Sequence, residues 1–333
     1  MSSPAIVEVR RAIREELADV DSSGLVLIAC SGGPDSLALA LAARLECERV
    51  GAIVIDHGLQ SGSLEVAEST AELLRHRGLD PVIVQSVVVI ENGDGMEAAA
   101  RDARYRALFK LASQADAVSV LLGQTLDDQA ETVLLGLARG SGTRSLAGMP
   151  RRRGIFRRPL LDLPRSVVHA SLPRDVPVVD DAHNHDPRFA RVRVREHVLP
   201  VLERELGPGI AAALARTAEL ARADSEALDE LVDEVGYDLI AGASHPGALD
   251  VDGLVPLTRA VRSRIVRLWL LDGGVPAGRL SAVHVNRIEA LVTEWKGQGA
   301  VALPGGVEVV RDCGRLILRP LTAVRSEHLS KEN

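Results

Sequence analysis

Between residues 24 and 138, four short apolar runs alternate with four longer amphipathic stretches. Residues 24–30 (GLVLIAC), 49–55, 81–89 and 117–123 have the length and β-branched content of buried strands. Residues 35–46, 64–77, 96–115 and 127–138 read as helices. Strand and helix alternating at this spacing predict an α/β fold, a doubly wound, mainly parallel sheet with helices on both faces. In such sheets ligands sit beyond the carboxyl ends of the strands, near the point where strand order reverses. The segments that follow the strands are therefore the candidates for function.

Farther on the pattern changes. Residues 188–205 read as a basic helix running up to the breaker Gly207-Pro208-Gly209, the expected domain boundary. Residues 210–243 read as one or two helices, and 257–271 and 280–295 as two more. Short runs at 301–303, 307–310 and 316–318, separated by glycine-containing turns, predict a small antiparallel β element. The expected organisation is a catalytic domain over residues 1–206, a smaller, mostly helical domain over 207–322 ending in that β element, and a flexible tail over 323–333.

The chain has 333 residues, about twice a common domain length, with 46% hydrophobic and 26% charged residues, which excludes dominant disorder. The longest uncharged apolar stretch is roughly ten residues, half of a membrane span, and the charged N-terminus lacks a secretory h-region, so no membrane partner is expected. Three cysteines (Cys30, Cys47, Cys313) without metal-type spacing suggest a reducing, cytoplasmic setting. The net charge of −7 argues against general nucleic-acid coating. Yet residues 139–195 hold 13 Arg, no Lys and 5 Asp, a local balance of +8. One basic zone on an acidic body suits a localised polyanion site, with a solvated basic face as the alternative.

After the first strand comes Ser31-Gly32-Gly33-Pro34-Asp35-Ser36, leading directly into a helix. Adjacent glycines let backbone N–H groups converge, and a helix N-terminus adds its positive dipole end, so the combination suits a phosphate. A Walker A loop needs a Lys after its last Gly, and the only lysines are Lys110, Lys296 and Lys331. A capped strand-to-helix turn is the plainer reading.

The S-G-G-x-D-S loop resembles that of the N-type ATP pyrophosphatases, which cleave ATP between the α and β phosphates. Within that superfamily, four further motifs are similar to the tRNA(Ile)-lysidine synthetase family. They are Asp56-His57-Gly58 after the second strand; Glu97 with Arg101, Arg104 and Tyr105 after the third; Gly123 to Thr132 after the fourth, containing Asp127, Asp128 and Glu131; and the stretch 184–195 with Arg191, Arg193 and Arg195. The likeness spans roughly residues 26–202; the C-terminal third matches only loosely. Two departures stand out: Gln124 and Thr125 where the family carries one or two His, and Val192 where it commonly has Asn.

The resemblance implies an adenine nucleotide alpha-hydrolase-like fold and an ATP-dependent ligase. Such an enzyme joins the ε-amine of free L-lysine to C2 of the wobble cytidine of tRNA(Ile) through an adenylated tRNA, and it leaves a homodimer open. It implies that Ser31, Gly32, Gly33, Pro34 and Ser36 hold ATP phosphates, and that Asp35 binds Mg2+, a hard cation that takes oxygen ligands. Asp56, His57 and Arg104 become nucleotide contacts, and Arg101, Arg191 and Arg195 substrate contacts. Asp128 and Glu131, three apart on one helix face, can hold an ammonium and take its proton. In isolation they equally suit a helix first turn, with Asp127 the better cap. Arg151, Arg152, Arg153, Arg157 and Arg158 suggest an RNA-binding run, and Arg259, Arg262, Arg264 and Arg267 a second stripe. The alternatives are a 2-thiolation enzyme, which would need clustered cysteines or a reactive Cys30, and a non-catalytic nucleotide sensor.

Overall fold

The computed structural model describes residues 3–56, 58, 62–88, 96–140, 143–179, 185–241 and 247–321, and the chain divides into two compact units, Met1–Arg222 and Ala223–Asn333. In the first unit a helix not anticipated from sequence, α1 (Pro4–Glu16), precedes the sheet. Ser3 Oγ accepts the Ile6 N–H at 3.4 Å, and Pro4 takes the first turn, where its missing donor does no harm. The four expected strand–helix pairs follow as β1 (Leu25–Ala29), α2 (Pro34–Ala43), β2 (Val50–Asp56), α3 (Ser63–His76), β3 (Val82–Ser86), α4 (Met96–Gln114), β4 (Ala117–Leu122) and α5 (Leu126–Ala138). Next come α6 (Thr143–Leu146), the two-residue strands β5 (Arg152–Arg153) and β6 (Phe156–Arg157), and α7 (Arg165–Ser171).

The sheet order is β3-β2-β1-β4-β6-β5, parallel except for β5. β1 pairs with β2 on one side (Val26 opposite Val50) and with β4 on the other (Leu27 opposite Val120), so strand order reverses between β1 and β4. The pleat sends alternate β1 residues to opposite faces. Val26 and Ile28 pack with α1, α2, α3 and α7, whereas Leu25 and Leu27 pack with Leu108 and Ala112 of α4 and with Phe156. Both faces are covered, which is why β1 reads as an unbroken apolar run.

The single basic helix expected over 188–205 is broken into α8 (Ala190–Arg193), a π-helical turn at Val194–Val198 and α9 (Leu199–Leu206), with Pro200 in the first turn of α9. Gly207-Pro208-Gly209 separates α9 from α10 (Ile210–Ala241), and the two compact units part not at this breaker but within α10.

The run expected to face RNA is largely paired inside the fold. Glu16, buried at the end of α1, meets Arg152 Nε at 2.6 Å and Arg157 Nη1 at 3.7 Å; Asp19 takes the same two arginines, and Arg151 pairs with Asp162. These arginines tie the β5–β6 hairpin to α1. Glu16→Ala is therefore expected to cost about 2 kcal/mol, less than a fully enclosed pair because Arg152 is half exposed. Urea unfolding checks this, and an unchanged midpoint would contradict it.

The second unit contains β7 (Ala248–Asp250), α11 (Val251–Leu254), α12 (Arg259–Asp272), α13 (Ala282–Thr293), β8 (Val301–Leu303), β9 (Val307–Asp312) and β10 (Arg315–Pro320). Its antiparallel sheet runs β7-β10-β9-β8 and shares a core with Ile265, Trp269 and Ile288. The stripe on α12 is also paired within the second unit, with Arg259 still mostly exposed: Arg259 and Arg262 pair with Glu289, Arg264 pairs with Asp229, and Arg267 donates to Leu280 O.

Candidate functional site at the strand-order reversal

The loops that leave β1 and β4 flank the reversal. Gly33 is the N-cap of α2, followed by Pro34 in the first turn. Ser36 Oγ donates to Gly33 O at 2.9 Å and accepts the Ser31 N–H at 3.2 Å, which folds the loop back onto its own helix. The two glycines differ in why they are needed. Gly32 has φ +81°, and a Cβ there would lie 2.7 Å from Thr70 Oγ1 and 2.8 Å from Val179 Cγ2, so the fold itself excludes a side chain. Gly33 has an ordinary φ of −73°, and a Cβ would meet only Ser31 Oγ at 3.5 Å. Nothing in the fold requires glycine at 33, and the space beside its backbone is open to a ligand. Gly32→Ala is expected to lose roughly 1–2 kcal/mol from backbone strain alone. Gly33→Ala is expected to stay within about 0.5 kcal/mol of the parent while ATP affinity drops at least about tenfold. Thermal melting and nucleotide titration check the pair, and equal behaviour of the two variants would contradict it.

Across the crevice, Gly123 approaches so closely that a Cβ would sit 3.2 Å from the Asp35 carbonyl. This brings Asp35 beside the start of α5. Burial and the neighbouring Asp128 push the Asp35 carboxyl up from the usual carboxylate range. His169 Nε2 lies 3.0 Å from Asp35 Oδ1, and this buried oxygen has no hydrogen-bond partner among the described residues. A carboxylate held in that condition suits a cation. Among the described residues no three His, Cys, Asp or Glu side chains gather as a metal site. A cation at Asp35 would thus complete its shell with phosphate oxygens and water, the habit of Mg2+.

Asp128 and Glu131 lie on α5 as expected, with one correction. Thr125 is the N-cap, and Asp128, not Asp127, closes the capping box: its Oδ2 accepts the Thr125 N–H at 2.8 Å, leaving Oδ1 free for the arginines. Asp127 Oδ2 instead accepts the Arg165 N–H at 2.7 Å. Glu131 is fully enclosed and bound by Arg165 Nη2 at 3.2 Å, Arg191 Nε at 2.8 Å and Arg195 Nε at 2.7 Å. The π-helical turn between α8 and α9 lets Arg191 and Arg195 converge on one carboxylate, while Arg193 turns away to Pro187 O. Against the burial penalty, Arg165 and Arg191, the capping hydrogen bond and Arg195 hold Asp128 below its ordinary value.

Arg165 was not anticipated. It bridges Asp35 (3.6 Å), Asp128 (3.0 Å) and Glu131 (3.2 Å), and His169 follows it by one helical turn. Their only local signal is the i,i+4 spacing on α7. Asp56 accepts from Gly58 N at 2.9 Å and from Ser86 Oγ at 3.0 Å, so it ties the end of β2 to β3. His57 lies outside the described residues. Arg101 and Arg104 sit on α4, on the other face of the sheet from α2.

Residues 6–202 match the PP-loop domain family, and residues 249–317 the TilS substrate binding domain. The tRNA(Ile)-lysidine synthase of Thermobifida fusca (strain YX) is 52% identical over 321 residues, covering 95% of this chain and 98% of its own length. That of Salinispora arenicola (strain CNS-205) is 48% identical over 94% of this chain and 96% of its own. Among solved structures, the U34-tRNA thiolase NcsA from Methanococcus maripaludis superposes with a TM-score of 0.51 at 19% identity, over 66% of this chain and 80% of its own, a likeness of fold alone. At such identity, sustained over nearly the full length of its relatives, the chain belongs to the tRNA(Ile)-lysidine synthase family.

Proposed function

We propose that this enzyme joins the lysine ε-amine to C2 of the wobble cytidine of tRNA(Ile) with a CAU anticodon, through an adenylated tRNA, releasing AMP and pyrophosphate. The observation that carries the reading is the position of Arg165, whose guanidinium reaches Asp35 at the phosphate loop and both acids of α5. The two half-sites are therefore adjacent, as a two-step transfer requires.

In the first step the C2 oxygen of the cytidine attacks the α-phosphate. The loop Ser31–Ser36 holds the departing diphosphate with its backbone N–H groups and hydroxyls. Asp35 would hold Mg2+, whose charge would offset that of the phosphates. Asp56 ties the end of β2 to β3 beside the nucleotide. In the second step the lysine amine, protonated at neutral pH with an ordinary pKa near ~10.4, must lose a proton before it attacks C2. Glu131 and Asp128 bind the ammonium and take that proton, and AMP departs. For lysine to reach Glu131, Arg191 or Arg195 must step off it, and a freed guanidinium is available to RNA phosphate. The region 1–206 carries this chemistry and 207–322 binds the tRNA body.

A persulfide-based thiolation finds no support here: burial pushes the Cys30 thiol up, away from the thiolate form such chemistry needs. The test is mass analysis of tRNA(Ile) incubated with ATP, Mg2+ and lysine. A nucleoside heavier by lysine less water supports the reading; an unmodified tRNA from active, folded protein overturns it.

A further inference from the structure

Tyr105 on α4 packs edge-on against Phe156, with ring centroids 5.1 Å apart, and its hydroxyl is set among arginines. Arg158, buried just beyond β6, donates to Tyr105 Oη at 2.9 Å and to Pro150 O at 2.7 Å, while its Nε is buried without a partner among the described residues. Arg101 donates to the same hydroxyl at 3.4 Å and lies over the ring at 5.0 Å. Arg104 pairs with no described carboxylate. Burial pulls its guanidinium below the ordinary arginine range, and repulsion from Arg101 and Arg191 adds to this. Two arginines hold one phenol, Arg104 precedes it in the chain, and with no described acid among them they form a site short of negative charge; guanidinium forks match phosphate oxygens.

Which phosphate this site takes follows from its face. The diphosphate loop opens α2, which packs on the Val26 and Ile28 side of the sheet, whereas α4 packs on the Leu25 and Leu27 side. Arg104 feels repulsion from Arg191, which holds Glu131, so the cluster lies within charge range of the amine half of the site. We propose that Arg101, positioned by Tyr105 and Arg158, and Arg104 on the same helix bind a backbone phosphate of the RNA strand beside the target base, not the phosphates of the nucleotide. This rests on tRNA being the substrate, and it moves Arg104 away from the nucleotide contact expected from sequence.

The test uses the full chain with an anticodon stem-loop RNA titrated over a range of salt, and ATP with Mg2+ titrated separately by calorimetry. Arg104→Gln is expected to weaken RNA binding about tenfold at low salt. It should also shrink the slope of log affinity against log salt by about 0.7–0.9, one phosphate contact, with ATP affinity unchanged within about twofold. Arg104→Lys keeps the charge and is expected to restore most of the slope. Tyr105→Phe, which removes only the hydroxyl that positions Arg101 and Arg158, is expected to weaken RNA binding in the same direction without altering ATP affinity. An unchanged salt slope in Arg104→Gln, or a comparable loss of ATP affinity, overturns the proposal. Failure of the underlying reading shows elsewhere, in a wild-type protein that binds the stem-loop no better than an unrelated RNA.

Discussion

Replacing Glu131 by glutamine is expected to slow lysine transfer to adenylated tRNA by about 10²–10⁴-fold, the range for losing a positioned general base. Formation of AMP and pyrophosphate should stay within about tenfold of the parent. Glu131 is enclosed, so its charge has no solvent to fall back on, and three guanidiniums converge on it. Glutamine keeps the shape and one acceptor but can neither balance an ammonium nor take its proton. The same change leaves Arg191 and Arg195 with Asp128 as their remaining acid and Arg165 with Asp128 and Asp35, so stability should also drop, by about 1–3 kcal/mol. Single-turnover transfer from pre-adenylated tRNA separates the two effects. A transfer rate equal to the parent's in a folded variant would reduce Glu131 to an anchor for arginines.

Asp35→Asn is expected to act in the opposite sense on stability. Adenylate formation should fall by at least about 10²–10³-fold, because charge at the phosphates is left unbalanced. The protein without nucleotide or metal should meanwhile become more stable. Asp35 is buried, its Oδ1 lacks a hydrogen bond, and Asp128 repels it, so its folded pKa lies above its unfolded one. The folded state therefore holds this proton more tightly. Stability from this group is full below the unfolded value near ~3.9 and falls as pH rises through the window up to the folded pKa. Asparagine removes that loss, so in chelator the melting temperature of the variant should exceed the parent's at pH 7 and the gap should narrow toward pH 4. A variant less stable than the parent at pH 7 would mean that Arg165 and His169 already compensate Asp35 fully.

The sheet was legible because the inner strands β1, β2 and β4 are mostly buried and read as short apolar runs, and the half-buried edge strand β3 shows itself by its β-branched residues. The phosphate loop and the acid pair were legible because their chemistry is local in sequence. Helix α1 was missed because its buried positions, Val9, Ile13 and Glu16, stand among Arg and Glu that hide the apolar stripe. Glu16 shows why charge counts mislead: one enclosed carboxylate engages arginines more than a hundred residues away, so a run that looks like an RNA face is partly a structural clasp. The same holds for Arg259, Arg262 and Arg264, whose acid partners lie on α10 and α13. Arg165 escaped notice because its role exists only once α7 packs beside α2 and α5. The capping assignment went to the wrong aspartate because Asp127 and Asp128 are equivalent in sequence, and only the Thr125 N–H distinguishes them.

The most direct test follows the fate of ATP in the presence of tRNA(Ile), lysine and Mg2+. Labelled at the α-phosphate, it is expected to appear as AMP, one for each lysine incorporated, with pyrophosphate released in the same amount. ADP and orthophosphate as the products would place the bond broken at the other side of the β-phosphate, and the loop at Gly32 and Gly33 would then not be gripping a departing diphosphate.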